Sequence, residues 1–191
     1  MTRAERIAAA GCLLTLLFGA VACDTGSTAV PPAATASSAA PGSVGFFGGT
    51  DLAWVEITIA MNEEMLPLLD LVPTHSSDAE VKALAASVRA LHDQELVTLH
   101  ELHDQAKLPA ENPHKGMPMP GMVTPEQVVQ AAAVRGPAFD KLVIRHLRAH
   151  FEQGVKLAGS EVRAGVEPRT KALATDVISS REKYLPRLAA R

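Results

Sequence analysis

Lys82-Ala83-Leu84-Ala85 recurs as Lys171-Ala172-Leu173-Ala174. The offset that lays one copy on the other also brings Asp51 onto Asp140, Ala60 onto Ala149, Glu63 onto Glu152 and Leu68 onto Leu157. Val88 falls on Val177, Leu96 on Leu185 and Leu99 on Leu188, all without a gap. Four matched letters could be chance in an alanine-rich chain. Matched apolar and capping positions across two long segments point to an internal repeat.

Each copy reads as a helical hairpin. Val81, Leu84, Val88, Leu91, Leu96, Leu99 and Leu102 recur at three and four, the stripe of an amphipathic helix. Ser77-Asp78-Ala79-Glu80 marks its start as a capping box, and Lys107 with Pro109 its end. The preceding helix runs from Asp51 to about Val72, with Trp54, Ile57, Met61, Met65 and Leu68 on one face. Pro67 is expected to kink it or end it early. Thr124-Pro125-Glu126-Gln127 opens a short helix that stops at Gly136-Pro137. A further helix spans Phe139 to about Gly165, and Pro168 opens the last. No segment alternates like a strand. Two hairpins, residues 51–106 and 139–190, related by a pseudo-twofold axis, predict an all-α four-helix bundle with a short extra helix in the crossover connection.

The ends bound the setting. Met1-Thr2-Arg3-Ala4-Glu5-Arg6 is a short basic start, and Ile7 to Ala22 is an apolar run ending in small residues before Cys23. This describes an export signal over residues 1–22. Small residues followed by cysteine make a bacterial lipobox, with Ala20 where leucine is usual, so Cys23 is the expected lipid attachment site. A plain secretory signal or an uncleaved anchor is the alternative. Residues 23–49 are rich in Ala, Ser, Thr, Pro and Gly and read as a flexible stalk. Residues 50–191 are enough for one domain. The expected location is the extracytoplasmic face of the cell membrane, lipid-anchored, or outside the cell if the lipobox is not used.

Composition excludes several functions. Cys12 leaves with the signal and Cys23 is blocked by lipid, so no thiolate site, redox pair or cysteine nucleophile remains. The chain carries a net charge of −3, and the leader removes one more positive than negative charge. With no basic patch, nucleic acid is not a partner. There is no nucleophile–base pair, phosphate loop or nucleotide fingerprint. A di-iron carboxylate enzyme of the bundle type needs Glu-x-x-His on each of two helices, and none of the long helices carries it. The protein is therefore not expected to be an enzyme.

Inward-facing polar residues are the candidates for chemistry. His146 and His150 are four apart on the third long helix. His92 and Glu95 are three apart on the second. Imidazole and carboxylate from facing helices are how bundle cores build metal sites. Histidines at the edge of a buried stripe are also commonly half-solvated, and His92 with Glu95 could be an ordinary solvated pair. His75, His100 and His103 read as surface residues, and Glu63 and Glu64 as solvent-facing. The connection holds a second set, His114, Met117, Met119 and Met122. Thioethers with imidazole suit copper(I). Met-Pro-Gly-Met is equally a turn that plugs an apolar bundle end.

Met119-Pro120-Gly121-Met122, then Phe139-Asp140, then a helix carrying His150 and Glu152, resembles the ferritin-like "domain of unknown function 305" family of exported bacterial proteins. The resemblance covers the chain from Asp51 on. It implies His-His on the first and third helices and Gln-x-x-Glu on the second and fourth. Here the first pair falls on Met61 and Asn62, and the third-helix pair on His150 and Phe151. The second motif is His92-x-x-Glu95 and the fourth Arg181-x-x-Tyr184. What remains is one lopsided set, Met61, His92, Glu95 and His150, with His146 nearby. The resemblance implies metal handling, copper favoured, as a buffer or carrier. The alternative is a metal-free structural or interaction module that meets another envelope protein.

Overall fold

The structure, a computed structural model, describes residues 45–190. The export signal, Cys23 and most of the expected stalk lie outside the described residues. Five helices follow in order: α1 (Gly49–His75), α2 (Ala79–Gln105), α3 (Pro125–Ala132), α4 (Gly136–Ala164) and α5 (Pro168–Ala189). Among the described residues there is no strand, and no helix is long and apolar enough to cross a membrane. α1 packs along α2, α4 along α5, and α1 against α4 joins the hairpins into the four-helix bundle. α3 lies against α1 in the crossover.

The repeat is visible in the element ends. The offset that carries residue 82 to 171 carries the end of α1, His75, to the end of α4, Ala164. It carries the start of α2, Ala79, to the start of α5, Pro168. The caps correspond as well. Asp78 Oδ1 accepts from the N–H groups of Glu80 (2.8 Å) and Val81 (3.1 Å). Glu167 Oε2 accepts from Thr170 N–H (2.6 Å) and its hydroxyl (2.8 Å). In each case a carboxylate meets the exposed donors of a first turn. The cap of α2 is therefore Asp78, one residue later than a box begun at Ser77. Thr124 and Gln127 form the expected reciprocal box on α3.

Two boundaries differ from expectation. α1 does not stop at Val72 or bend off at Pro67; it continues through Pro67 and Pro73 to His75. Both prolines are exposed, so their rings stand on the solvent side of the helix. The opposite face is held by Met65, Leu68, Leu69 and Val72, all buried. α4 opens at Gly136, not Phe139, because Gly136 takes φ 63° and Pro137 occupies the first turn.

Two apolar clusters fill the bundle. One holds Leu84, Val88, Phe139, Val143, Leu147, Phe151 and Leu188. The other holds Trp54, Val55, Leu99, Leu102, Ala158, Ala174 and Val177. On every long helix the residues between these clusters include polar ones: Asn62 on α1, His92 and Glu95 on α2, His150 on α4 and Arg181 on α5. All five are buried. A polar belt thus girdles the middle of the bundle.

Candidate metal centre

His92 and His150 meet at the belt, their ring centroids 4.9 Å apart. Both are fully enclosed, and Phe151 packs against each ring. Burial, then the neighbouring Arg181 charge, pushes the His150 imidazole down to about 3 despite a hydrogen bond that favours its charged form. Burial, His150 and Arg181 hold His92 well below the ordinary histidine range. Both rings are therefore neutral near pH 7, the form that ligates metals. His150 Nδ1–H donates to the Gly121 carbonyl at 3.2 Å, which leaves the Nε2 lone pair for another partner. Neither ring nitrogen of His92 has a hydrogen-bond partner, an unusual state for a buried polar group.

Thioethers border this pair. Met61 and Met122 are buried in one small apolar cluster with Ala60, and Met119 packs against it. A cavity of about 10 Å³, lined by Met61, Asn62, His150 and Arg181 among others, lies at the same level. That is the room of a single small guest.

The crossover reaches this level through specific bonds. Asn112 Nδ2 donates to the Glu56 carbonyl (2.8 Å) and Gly116 N–H to Glu64 Oε1 (3.1 Å). Glu64 is therefore buried under the crossover, not solvent-facing. The turn Met119-Pro120-Gly121-Met122 closes with a Met122 N–H to Met119 carbonyl bond of 3.1 Å. Gly121, at φ 77°, lies directly on α4 at Ala149 and His150. The segment brings Met119 and Met122 beside Met61. It leaves Met117 exposed, and His114 is tied into a separate turn.

Glu95 has a different partner. Arg181 Nη2 donates to Glu95 Oε2 at 2.7 Å, Nη1 donates to Oε1, and Asn62 Nδ2 donates to Oε2 at 3.0 Å. The guanidinium carbon sits 5.0 Å from the Phe151 ring centroid. His146 is half-buried elsewhere on α4. Among the described residues no three His, Cys, Asp or Glu side chains are grouped to hold a metal ion. The donors brought together are two neutral imidazoles and the thioethers. This set fits a soft cation and not a hard one that needs oxygen ligands.

His75 also departs from expectation. It is buried, donates from Nε2 to the Ala132 carbonyl (3.2 Å), which pins α3, and packs at a tilt against Phe139 with ring centroids 5.1 Å apart. A second buried polar site was not anticipated from the sequence. Asp51 accepts from the N–H groups of Gly48 (2.7 Å), Val166 (3.0 Å) and Glu167 (3.0 Å). Burial raises its carboxyl, but these donors and the Glu161 side chain outweigh that and hold it below its ordinary value. Glu161 keeps its proton: burial first, then Asp51, pushes it up to about 8.

The fold and this centre define a class: an all-α bundle with neutral nitrogen and sulfur donors at its waist. The chain belongs to the family described as "Domain of unknown function (DUF305)", whose model matches residues 51–190. Solved structures agree in fold. A family protein from Streptomyces coelicolor, described as secreted, is 20% identical, with TM-score 0.65 over 74% of this chain and 90% of its own. A fragment from Deinococcus radiodurans is 13% identical, with TM-score 0.67 over 75% and 95%. CopM in the Cu(I)-bound form is 17% identical, with TM-score 0.63 over 75% and 95%. No curated protein matches the sequence significantly.

Proposed function

We propose that this protein is an exported, lipid-anchored bundle that holds a soft monovalent metal ion, copper(I) favoured, as a buffer or carrier and not as an enzyme. One observation carries the reading. His150 is neutral and buried, its Nδ1–H is spent on Gly121, and its ring packs at a tilt against His92, whose nitrogens have no partner, beside Met61. His150, His92 and Met61 would hold the ion, with Met119 and Met122 closing the crossover side. Bound there, the ion would bring soft-ligand exchange, which suits transfer between proteins. Structures of CopM with Cu(I) and with Ag agree with that preference. Cys23 would anchor the chain, and loss of lipid labelling in Cys23→Ser would test the anchor.

The test of the centre is a copper(I) titration against a competing chelator. One ion per chain is expected, weakened about 10–100-fold by His150→Ala. Loss only on replacing Met117, Met119 and Met122 would move the donors into the crossover. No uptake would favour the second reading, a metal-free interaction module. That reading draws on the Arg181–Glu95 pair, which already occupies the belt's carboxylate.

A further inference from the structure

We propose that Arg181 sets the charge selectivity of the centre: by occupying both oxygens of Glu95 and neutralising its charge, it keeps dications out. This deepens the reading above and rests on the belt being a metal centre.

His92 and Glu95 are three apart on α2, and His150 meets His92 from α4. Two imidazoles and a carboxylate from facing helices are a donor set for zinc or cobalt. The carboxylate is not available. Glu95 is bound by two guanidinium nitrogens and by Asn62. The Arg181 side chain is 1% exposed, and its guanidinium is a permanent cation. Phe151 backs its plane and Ser180 Oγ accepts from Nη1 at 3.1 Å, so it cannot swing aside freely. Arg181 lines the same cavity as Met61, Asn62 and His150. A dication there finds the belt's one anion already neutralised by Arg181, and so neither a free carboxylate ligand nor a net negative charge to offset its own desolvation. A monovalent soft ion needs only the neutral donors. The offset of the repeat puts Arg181 at the station of His92, so an imidazole position in one copy is filled by a cation in the other.

The experiment uses the full chain in detergent, wild type and variants, titrated with cobalt(II) as a spectroscopic stand-in for zinc and, separately, with copper(I). Wild type should show no tetrahedral cobalt bands. Arg181→Gln, checked for helicity by circular dichroism, should gain them, with cobalt affinity raised about tenfold or more. Arg181→Lys keeps the charge and should stay silent. The double variant Glu95→Gln/Arg181→Gln should lose the gain, which would place the new ligand at Glu95. Cobalt binding by wild type equal to that of Arg181→Gln, or no gain in a folded Arg181→Gln, overturns the proposal. If Arg181→Gln does not fold, cobalt bands in Arg181→Lys overturn it and silence there upholds it. Wild type taking neither metal while Arg181→Gln takes cobalt would sink the copper(I) reading and leave the role of Arg181 standing.

Discussion

Arg181 buries a positive charge midway along α5, against Glu95, which lies 86 residues earlier in the chain. Removing one member of such a pair strands the other in a poorly solvating interior. Arg181→Met should therefore lower stability by about 3–5 kcal/mol in urea unfolding. Glu95→Leu/Arg181→Met should regain much of that loss, because an apolar pair leaves no charge behind. The histidines set a pH dependence of known sign. Their folded-state values are depressed below 6.5, so the unfolded chain binds more protons in acid. Stability is lost as pH falls below 6.5, progressively toward about 3 for His150, and His150→Phe should flatten part of that slope in thermal melts. His92 and His150 were legible in the sequence because helical spacing puts each on an inward face. The partnership of Arg181 with Glu95 was not, since periodicity gives the face of a residue but not which charge it meets across the core.

The helix starts at Asp78, Thr124 and Glu167 carry local signals, and each sits within a residue of where those signals point. The prolines of α1 misled because a stop rule weighs one lost hydrogen bond locally. Here a 27-residue helix with a buried face continues past it. Pro67→Ala restores that bond at an exposed position and should stabilise the protein by up to about 3 kcal/mol. The crossover depends on Gly121. A Cβ there would lie 2.6 Å from Gln153 Cβ and 2.7 Å from the Ala149 carbonyl oxygen, at a positive φ. Gly121→Ala should lift the methionine turn from α4, cost about 1–3 kcal/mol and weaken copper(I) uptake by displacing Met122. Gly116, at φ 71° with open space around it, is the control. Gly116→Ala should cost about 1 kcal/mol and leave uptake unchanged.

At the scale of the bundle, Asp51 ties the first turn of α1 to the α4–α5 turn, and the buried Glu161 carboxyl keeps its proton there. The Glu161 value is raised from 4.5 to about 8, so its favourable contribution is complete below 4.5 and is lost as pH rises through 8. The histidine slope opposes this below 6.5. Between 6.5 and 8 the Glu161 slope stands uncompensated. Glu161→Gln replaces the titrating carboxyl with a neutral group of the same shape and should melt higher than wild type at pH 8 while matching it near pH 4. The repeat announced the bundle, but Asp51 and Glu161 carried no signal, since the contact depends on how two hairpin ends abut.

The buried ion pair joins unlike stations of the duplication. Laying α2 on α5 carries His92 onto Arg181 and Glu95 onto Tyr184, so the acid belongs to one half and the base to the other. Two first halves assembled as a homodimer would enclose a pair of acids with no base. Two second halves would enclose a pair of bases with no acid. Fragments 45–115 and 116–191, expressed together with different tags, should copurify as mixed pairs and not as like with like. A once-symmetric doubling has become a lock and its key on one polypeptide, and neither half can now replace the other.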